Sequence, residues 1–99
     1  MIATFADATT EDLWNGRDTK AARRIPKAIW SVARRKLDLL NRVARLNALR
    51  VPPGNRLEAL RGPRAGSYSV RVNDRYRITF TVRGEYFHDV CCEDYHPHG

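Results

Sequence analysis

Pro52-Pro53-Gly54 divides this sequence into two stretches whose apolar residues repeat with different periods. Before the prolines, Ile25, Ile29, Val32, Ala33, Leu37 and Leu40 recur chiefly in steps of three and four, which aligns them on one side of a helix. After them the step is two. Tyr68, Val70 and Val72, then Tyr76, Ile78, Phe80 and Val82, alternate with polar residues, as strands with one buried face require. Two prolines and a glycine end any helix that reaches them. With 99 residues there is material for one core. The pattern therefore predicts a single domain over residues 1–99, of α+β class: an N-terminal strand and helices packed on a curled, mainly antiparallel sheet of four to five strands.

Smaller signals fill in the order. "MIATFA" is a strand candidate, and "ATTEDLWNG" reads as a short helix with Thr9 or Thr10 as its cap and Gly16 as its stop. A longer helix is expected from Pro26, with the proline in its first turn. "VARLNALR" reads as a second short helix, and "NRLEALRG" as a short strand. If both apolar sets of the hairpin face one core, Val72 must pair with Tyr76, leaving Asn73-Asp74-Arg75 as a three-residue loop. Arg71 then lies opposite Arg77 on the other face, where like charges repel. Either an anion binds between them or the two side chains splay apart. The last strand, within "EYFHDVCCEDYH", has no readable register, because Phe87 and Val90 differ in parity.

Charge limits the partners. The formal net charge is +7, and 15 of the 18 basic residues are arginine. All 18 lie between Arg17 and Arg83, where only Asp18, Asp38, Glu58 and Asp74 oppose them. A basic body rich in guanidinium forks suits a polyanion, above all nucleic acid. No apolar run approaches the roughly 18 residues needed to span a bilayer, so no membrane partner is expected. The first residues lack the basic and apolar regions of a secretory signal, which predicts a cytoplasmic protein. Cys91 and Cys92 are neighbours that point to opposite faces of a strand, which places them badly for a disulfide with each other. They read as reduced small hydrophobes.

The chain ends in "CCEDYHPHG". Cys92, His96 and His98 could ligate a metal on spacing alone, but a zinc site usually draws on two spaced pairs. No metal and no cofactor is expected. Metal-independent RNA cleavage needs other parts: a base for the 2′-hydroxyl, an acid for the leaving 5′-oxygen, and cations for the phosphate. The sequence offers His96, Asp94 and Glu58 for proton transfer, Tyr95 for stacking or proton positioning, and Arg61, Arg71 and Arg77 for phosphate.

"PPGNRLEALRG", "GSYSVRVNDRYRITF" and the terminal "EDYH" together resemble the HigB branch of the RelE-type bacterial toxins, over nearly the whole chain. The resemblance implies a RelE-like fold and a ribosome-dependent endoribonuclease that cleaves mRNA in the A site. It implies two partners, the ribosome with its mRNA and a cognate helix-turn-helix antitoxin (HigA-like), and operator DNA bound through the antitoxin complex. Asp94, Tyr95 and His96 match the terminal catalytic motif, Arg77 the arginine expected on the scissile phosphate, and Arg61 a basic residue before the glycine of the motif. Arg64, Arg71 and Arg75 join Arg61 as RNA-binding candidates. Some members carry histidine where this chain has Glu58, which leaves open whether Glu58 or His96 is the base. A gyrase-directed toxin of the same superfamily, or a nucleic-acid-binding module that does not cut, would keep the fold and lack the nuclease.

Overall fold

A computed structural model describes residues 1–95 of the chain. Helix α1 spans Ala8–Trp14 and helix α2 spans Trp30–Arg42. The strands are β1, Glu58–Ala59; β2, Ser67–Arg71; β3, Tyr76–Arg83; and β4, Tyr86–Asp94. They form one open antiparallel sheet in the order β1-β2-β3-β4.

The helices cover one face of this sheet. Ala33, Leu37 and Leu40 of α2 are fully buried, and they pack with Leu13 of α1 against Val70, Ile78, Phe80, Phe87, Val90 and Cys92. Phe80 is the central piece, with its ring centroid 4.9 Å from that of Phe87 and 6.4 Å from that of Tyr68. Pro26 precedes α2 without lying in it. A 3-10 turn over Lys27–Ile29 comes between, and the Trp30 indole donates to the Ile25 carbonyl at 2.7 Å. The expected second helix is a 3-10 turn, Leu46–Arg50, whose Leu49 enters the core.

The start of α1 differs from the expectation. Asp7, not Thr9 or Thr10, is the cap, and its carboxylate accepts from the Thr10 amide at 2.8 Å. Thr10 serves another element: its hydroxyl accepts from the Cys92 amide at 2.9 Å. Gly16 does terminate the turn after α1, at φ +74°, and a β-carbon there would lie 2.8 Å from the Arg34 guanidinium.

The N-terminal strand is reduced to two parallel bridges, Ile2 with Phe87 and Phe5 with Val90. Backbone bonds from Ala3 to the Phe87 carbonyl and from Ala6 to the Val90 carbonyl hold this segment along β4. With Thr10 bonding Cys92, the outer edge of β4 is covered rather than left as an unpaired template.

A bulge explains the parity of the last strand. Between the pairs Thr81–His88 and Thr79–Cys91, β4 carries one more residue than β3, and Asp89 there adopts φ +53°. The extra residue turns both Phe87 and Val90 toward the core. Beyond it Cys92 faces inward and Cys91 and Glu93 outward.

Candidate active site

The β2–β3 hairpin has the register that parity demands. Arg71 lies opposite Arg77, and the Val72 amide donates to the Tyr76 carbonyl at 2.9 Å. Asn73 shapes the loop, its side-chain oxygen accepting from the Arg75 and Tyr76 amides at 2.9 and 2.7 Å. On the sheet face away from the helices the hairpin presents Ser69, Arg71, Arg77 and Thr79. The register of β1 and β4 adds Glu58 opposite Ser69, and Glu93 opposite Arg77.

This face is not an open platform. Ser69 and Thr79 are fully buried, covered by charged side chains rather than by a second apolar layer. Arg77 lies deepest of these, with 11% of its side chain exposed. Its Nε donates to the Ser69 hydroxyl at 2.7 Å and a terminal nitrogen donates to the Arg56 carbonyl at 2.6 Å. Arg56 is a left-handed residue, at φ 45°, and this turn aims its carbonyl at the guanidinium. Glu58, 51% exposed, stands 3.9 Å from Arg77. Burial pulls the Arg77 pKa below its usual value; Glu58 opposes that pull, and the positive charges of Arg71 and Arg56 add to it. Its hydrogen bonds go to neutral acceptors and its carboxylate neighbour, Glu58, is half exposed and at 3.9 Å, so the guanidinium has charge left to offer an anion.

The facing arginines diverge. Arg71 pairs with Asp74 at the hairpin turn, while Arg77 runs to Ser69 and Arg56. The repulsion between them is relieved locally, so the pair does not by itself require an anion between its members.

A second network lies beside the first. Arg64 donates from both terminal nitrogens to Glu93, at 2.8 and 3.1 Å, and from one of them to the Thr79 hydroxyl at 3.2 Å. Thr79 in turn donates to Glu93 at 2.7 Å. Burial favours the neutral form of Glu93, but the bonds from Arg64 and Thr79 outweigh it and hold the pKa below the ordinary carboxylate value. The Arg64 guanidinium carbon also sits 5.3 Å from the centre of the Tyr95 ring.

At the hairpin end of the sheet, Arg75 bonds Asp94 at 2.8 Å and its carbonyl accepts from the Tyr95 amide at 3.0 Å. The hairpin loop thus holds the terminal segment by one ion pair and one backbone bond. Arg61 is exposed at the start of the 3-10 turn Gly62–Arg64, its carbonyl accepting from the Arg64 amide. His96, with His98 of the rival metal reading, lies outside the described residues. Burial, and behind it the carboxylates of Asp7 and Glu93, pushes both the Cys91 and Cys92 thiols up to about 12. Both stay protonated at neutral pH.

The structure therefore gathers Glu58, Arg64, Arg71, Arg77 and Tyr95 around one end of one sheet face, with the Arg75–Asp94 pair at the hairpin end beside it. Residue-by-residue reading missed Ser69, Thr79 and Glu93, because their importance follows from the face they share. It also missed Asn55. This fully buried side chain donates to the Leu49 and Val51 carbonyls at 3.1 and 3.3 Å and accepts from Lys36, holding the loop that ends in Arg56. An asparagine after Pro-Pro-Gly was the one available signal.

Residues 3–96 match the model of a family described as the RelE-like toxin HigB of type II toxin-antitoxin systems. Toxin HigB-1 of Vibrio cholerae serotype O1 is 40% identical over 80 residues, covering 81% of this chain and 82% of that protein. An uncharacterized protein of Haemophilus influenzae is 40% identical over 57 residues, covering 58% of this chain and 56% of the other. Among solved structures, the YoeB-YefM complex from Staphylococcus aureus superposes with a TM-score of 0.59 at 18% identity, covering 97% of this chain and 98% of that one. A YoeB/ParE toxin from Agrobacterium tumefaciens does so with a TM-score of 0.55 at 19% identity, over 96% and 100% of the two chains. At these identities the likeness concerns the fold, which is RelE-like.

Proposed function

The chain belongs to the HigB family of RelE-like toxins of type II toxin-antitoxin systems, and from that premise we propose that it is an endoribonuclease which cuts mRNA in the ribosomal A site. The observation that supports this reading best is Arg77. It is a desolvated cation whose bonds run to a hydroxyl and a carbonyl, beside a half-exposed carboxylate and near the Asp94-Tyr95 end of β4. A phosphate on Arg77 would bring a neighbouring 2′-hydroxyl toward Glu58 or the terminal motif. Deprotonation of that hydroxyl lets it attack the phosphate, the 5′-oxygen leaves with a proton from the acid, and a 2′,3′-cyclic phosphate remains. Arg77 stabilises the charge that grows on the phosphate oxygens. Glu58 is suited to be the base and His96 the acid, with Tyr95 and Asp94 positioning the terminus.

A cytoplasmic enzyme of this kind requires a neighbour-encoded antitoxin, here a helix-turn-helix protein whose complex with the toxin would also bind operator DNA. The YoeB-YefM structure is a complex of two named proteins, and it supports an antitoxin partner in general. The test is to induce the protein alone in bacteria and map the 5′ ends of messenger RNA. Cuts in phase with the reading frame, lost in His96→Gln, are expected. Growth arrest with intact messages, or cleavage of naked RNA at the same rate as ribosome-bound RNA, overturns the reading.

A further inference from the structure

Arg64 lies in the basic segment, and charge alone would assign it to RNA. Its geometry differs from that of Arg77. Both terminal nitrogens are committed to the two oxygens of one carboxylate, Glu93, which is the forked arrangement a phosphate would otherwise take. The fully buried Thr79 of β3 bonds both partners, tying the ion pair to the sheet. The guanidinium rests against the Tyr95 ring, two residues beyond Glu93. Glu93 stays ionised at neutral pH, since its pKa lies below the ordinary value. A phosphate reaching Arg64 would have to break two charge-assisted bonds and strand Glu93 in a half-buried position.

We propose that Arg64 and Glu93 are a positioning pair that fixes the Tyr95 ring for the cleavage step, and that Arg64 makes no phosphate contact. This rests on the nuclease reading above. β4 carries Glu93, Asp94 and Tyr95 in succession, so a clamp on the first sets where the third points. Arg75 holds the same segment from the hairpin side through Asp94 and the Tyr95 amide. The ring is thus located from two directions before any substrate arrives, which is what an active-site group at a chain end needs.

The experiment uses the full chain on ribosomes carrying a defined mRNA, with Arg64→Met, Arg64→Lys, Glu93→Gln and the double variant Arg64→Met/Glu93→Gln. Loosening a positioned group by about 1 Å can cost up to about 10²-fold in rate. Each single variant should therefore cut at least about tenfold more slowly at saturation. Affinity for the programmed ribosome should stay within about twofold, and the double variant should be no worse than the slower single one. Arg64→Lys should fail like Arg64→Met, because an ammonium can neither fork onto Glu93 nor lie flat on the ring. The salt dependence of binding should not change. If Arg64 instead touches RNA, Arg64→Met weakens binding, its log–log salt slope falls by about 0.7, and Arg64→Lys restores much of the loss; that result overturns the proposal. An arm independent of cleavage follows the Tyr95 ring signals by NMR. They should shift and broaden in Glu93→Gln, and an unmoved ring also overturns the proposal. If the wild-type protein does not cleave on the ribosome, the nuclease reading fails, and the clamp on Tyr95 is decided by the NMR arm alone.

Discussion

The two faces of the sheet are both largely shielded from water, but by opposite means. On the inner face Val70, Ile78, Phe80, Phe87, Val90 and Cys92 are buried under the helices as an apolar layer. On the outer face Ser69 and Thr79 are just as buried, under Arg77, Arg64 and Glu93. Apolar burial is non-directional and scales with area, so the inner face depends on volume. Hydrogen-bonded charge is directional, and a buried polar group left unmatched is costly, so the outer face depends on complete partnering. The difference separates the duties: one face holds the protein together, and the other holds a few cations in fixed places.

Changes that breach this separation are ranked by size. Phe80→Ala empties the middle of the inner face and should cost about 3–5 kcal/mol of stability, read as a fall in the urea midpoint. A cost below about 1 kcal/mol would show that the inner layer is loosely packed. Arg77→Ala should do the reverse, keeping the fold while lowering cleavage by about 10²–10³-fold, as removal of one preorganised donor does. Arg77→Lys should recover part of the rate, since it keeps the charge and loses the fork. Full activity in Arg77→Ala would reduce that residue to a strut between Ser69 and Arg56.

Much of this architecture was legible in the alternation of the hairpin. The parity of Val72 and Tyr76 dictates the loop, and with it the facing of Arg71 and Arg77. The last strand was illegible because one residue, Asp89, resets the alternation. Aspartate tolerates a left-handed backbone, but nothing in the letters singles it out from the other acids around it. With the register of β4 open, the outward direction of Glu93 was open too, and its link to Arg64, 29 positions away, had no local signal. The cap of α1 was misread for a related reason. Asp7, Thr9 and Thr10 are all competent caps, and the choice falls to Asp7 because Thr10 is needed by the Cys92 amide. The resemblance to a family supplied candidate site residues that neither period nor spacing could rank.

Asp7 offers an intermediate test, because it joins the first helix to the outer side of β4. Its carboxylate caps α1 and also accepts from the Cys91 thiol at 3.4 Å. Asp7→Ala should lose about 1 kcal/mol, seen as a lower melting temperature with the cleavage rate per folded molecule unchanged. Asp7→Asn should recover most of it, because the amide oxygen still caps. An activity loss larger than the loss of folded protein would mean that α1 also sets the position of the terminal segment.

The smallest effect is the most diagnostic of the contrast between the faces. Glu93 has its pKa depressed below the ordinary value of 4.5 in the folded state. Its contribution to stability is therefore complete above that value and is lost as pH falls through the lower, folded-state one. Both side chains of the pair are partly exposed, 39% for Arg64 and 28% for Glu93, so screening limits the contribution to about 1 kcal/mol. Glu93→Gln should thus be less stable than wild type near neutral pH, and the gap should close at acidic pH, where the wild-type carboxylate takes up its proton. The Phe80→Ala deficit has no titrating group behind it and should keep most of its size over the same range. Denaturant midpoints collected from neutral pH down to about one unit below the ordinary carboxylate value distinguish the two. A Glu93→Gln deficit that persists unchanged into acid would mean that Glu93 works by packing, and the outer face would then be held by shape, as the inner one is.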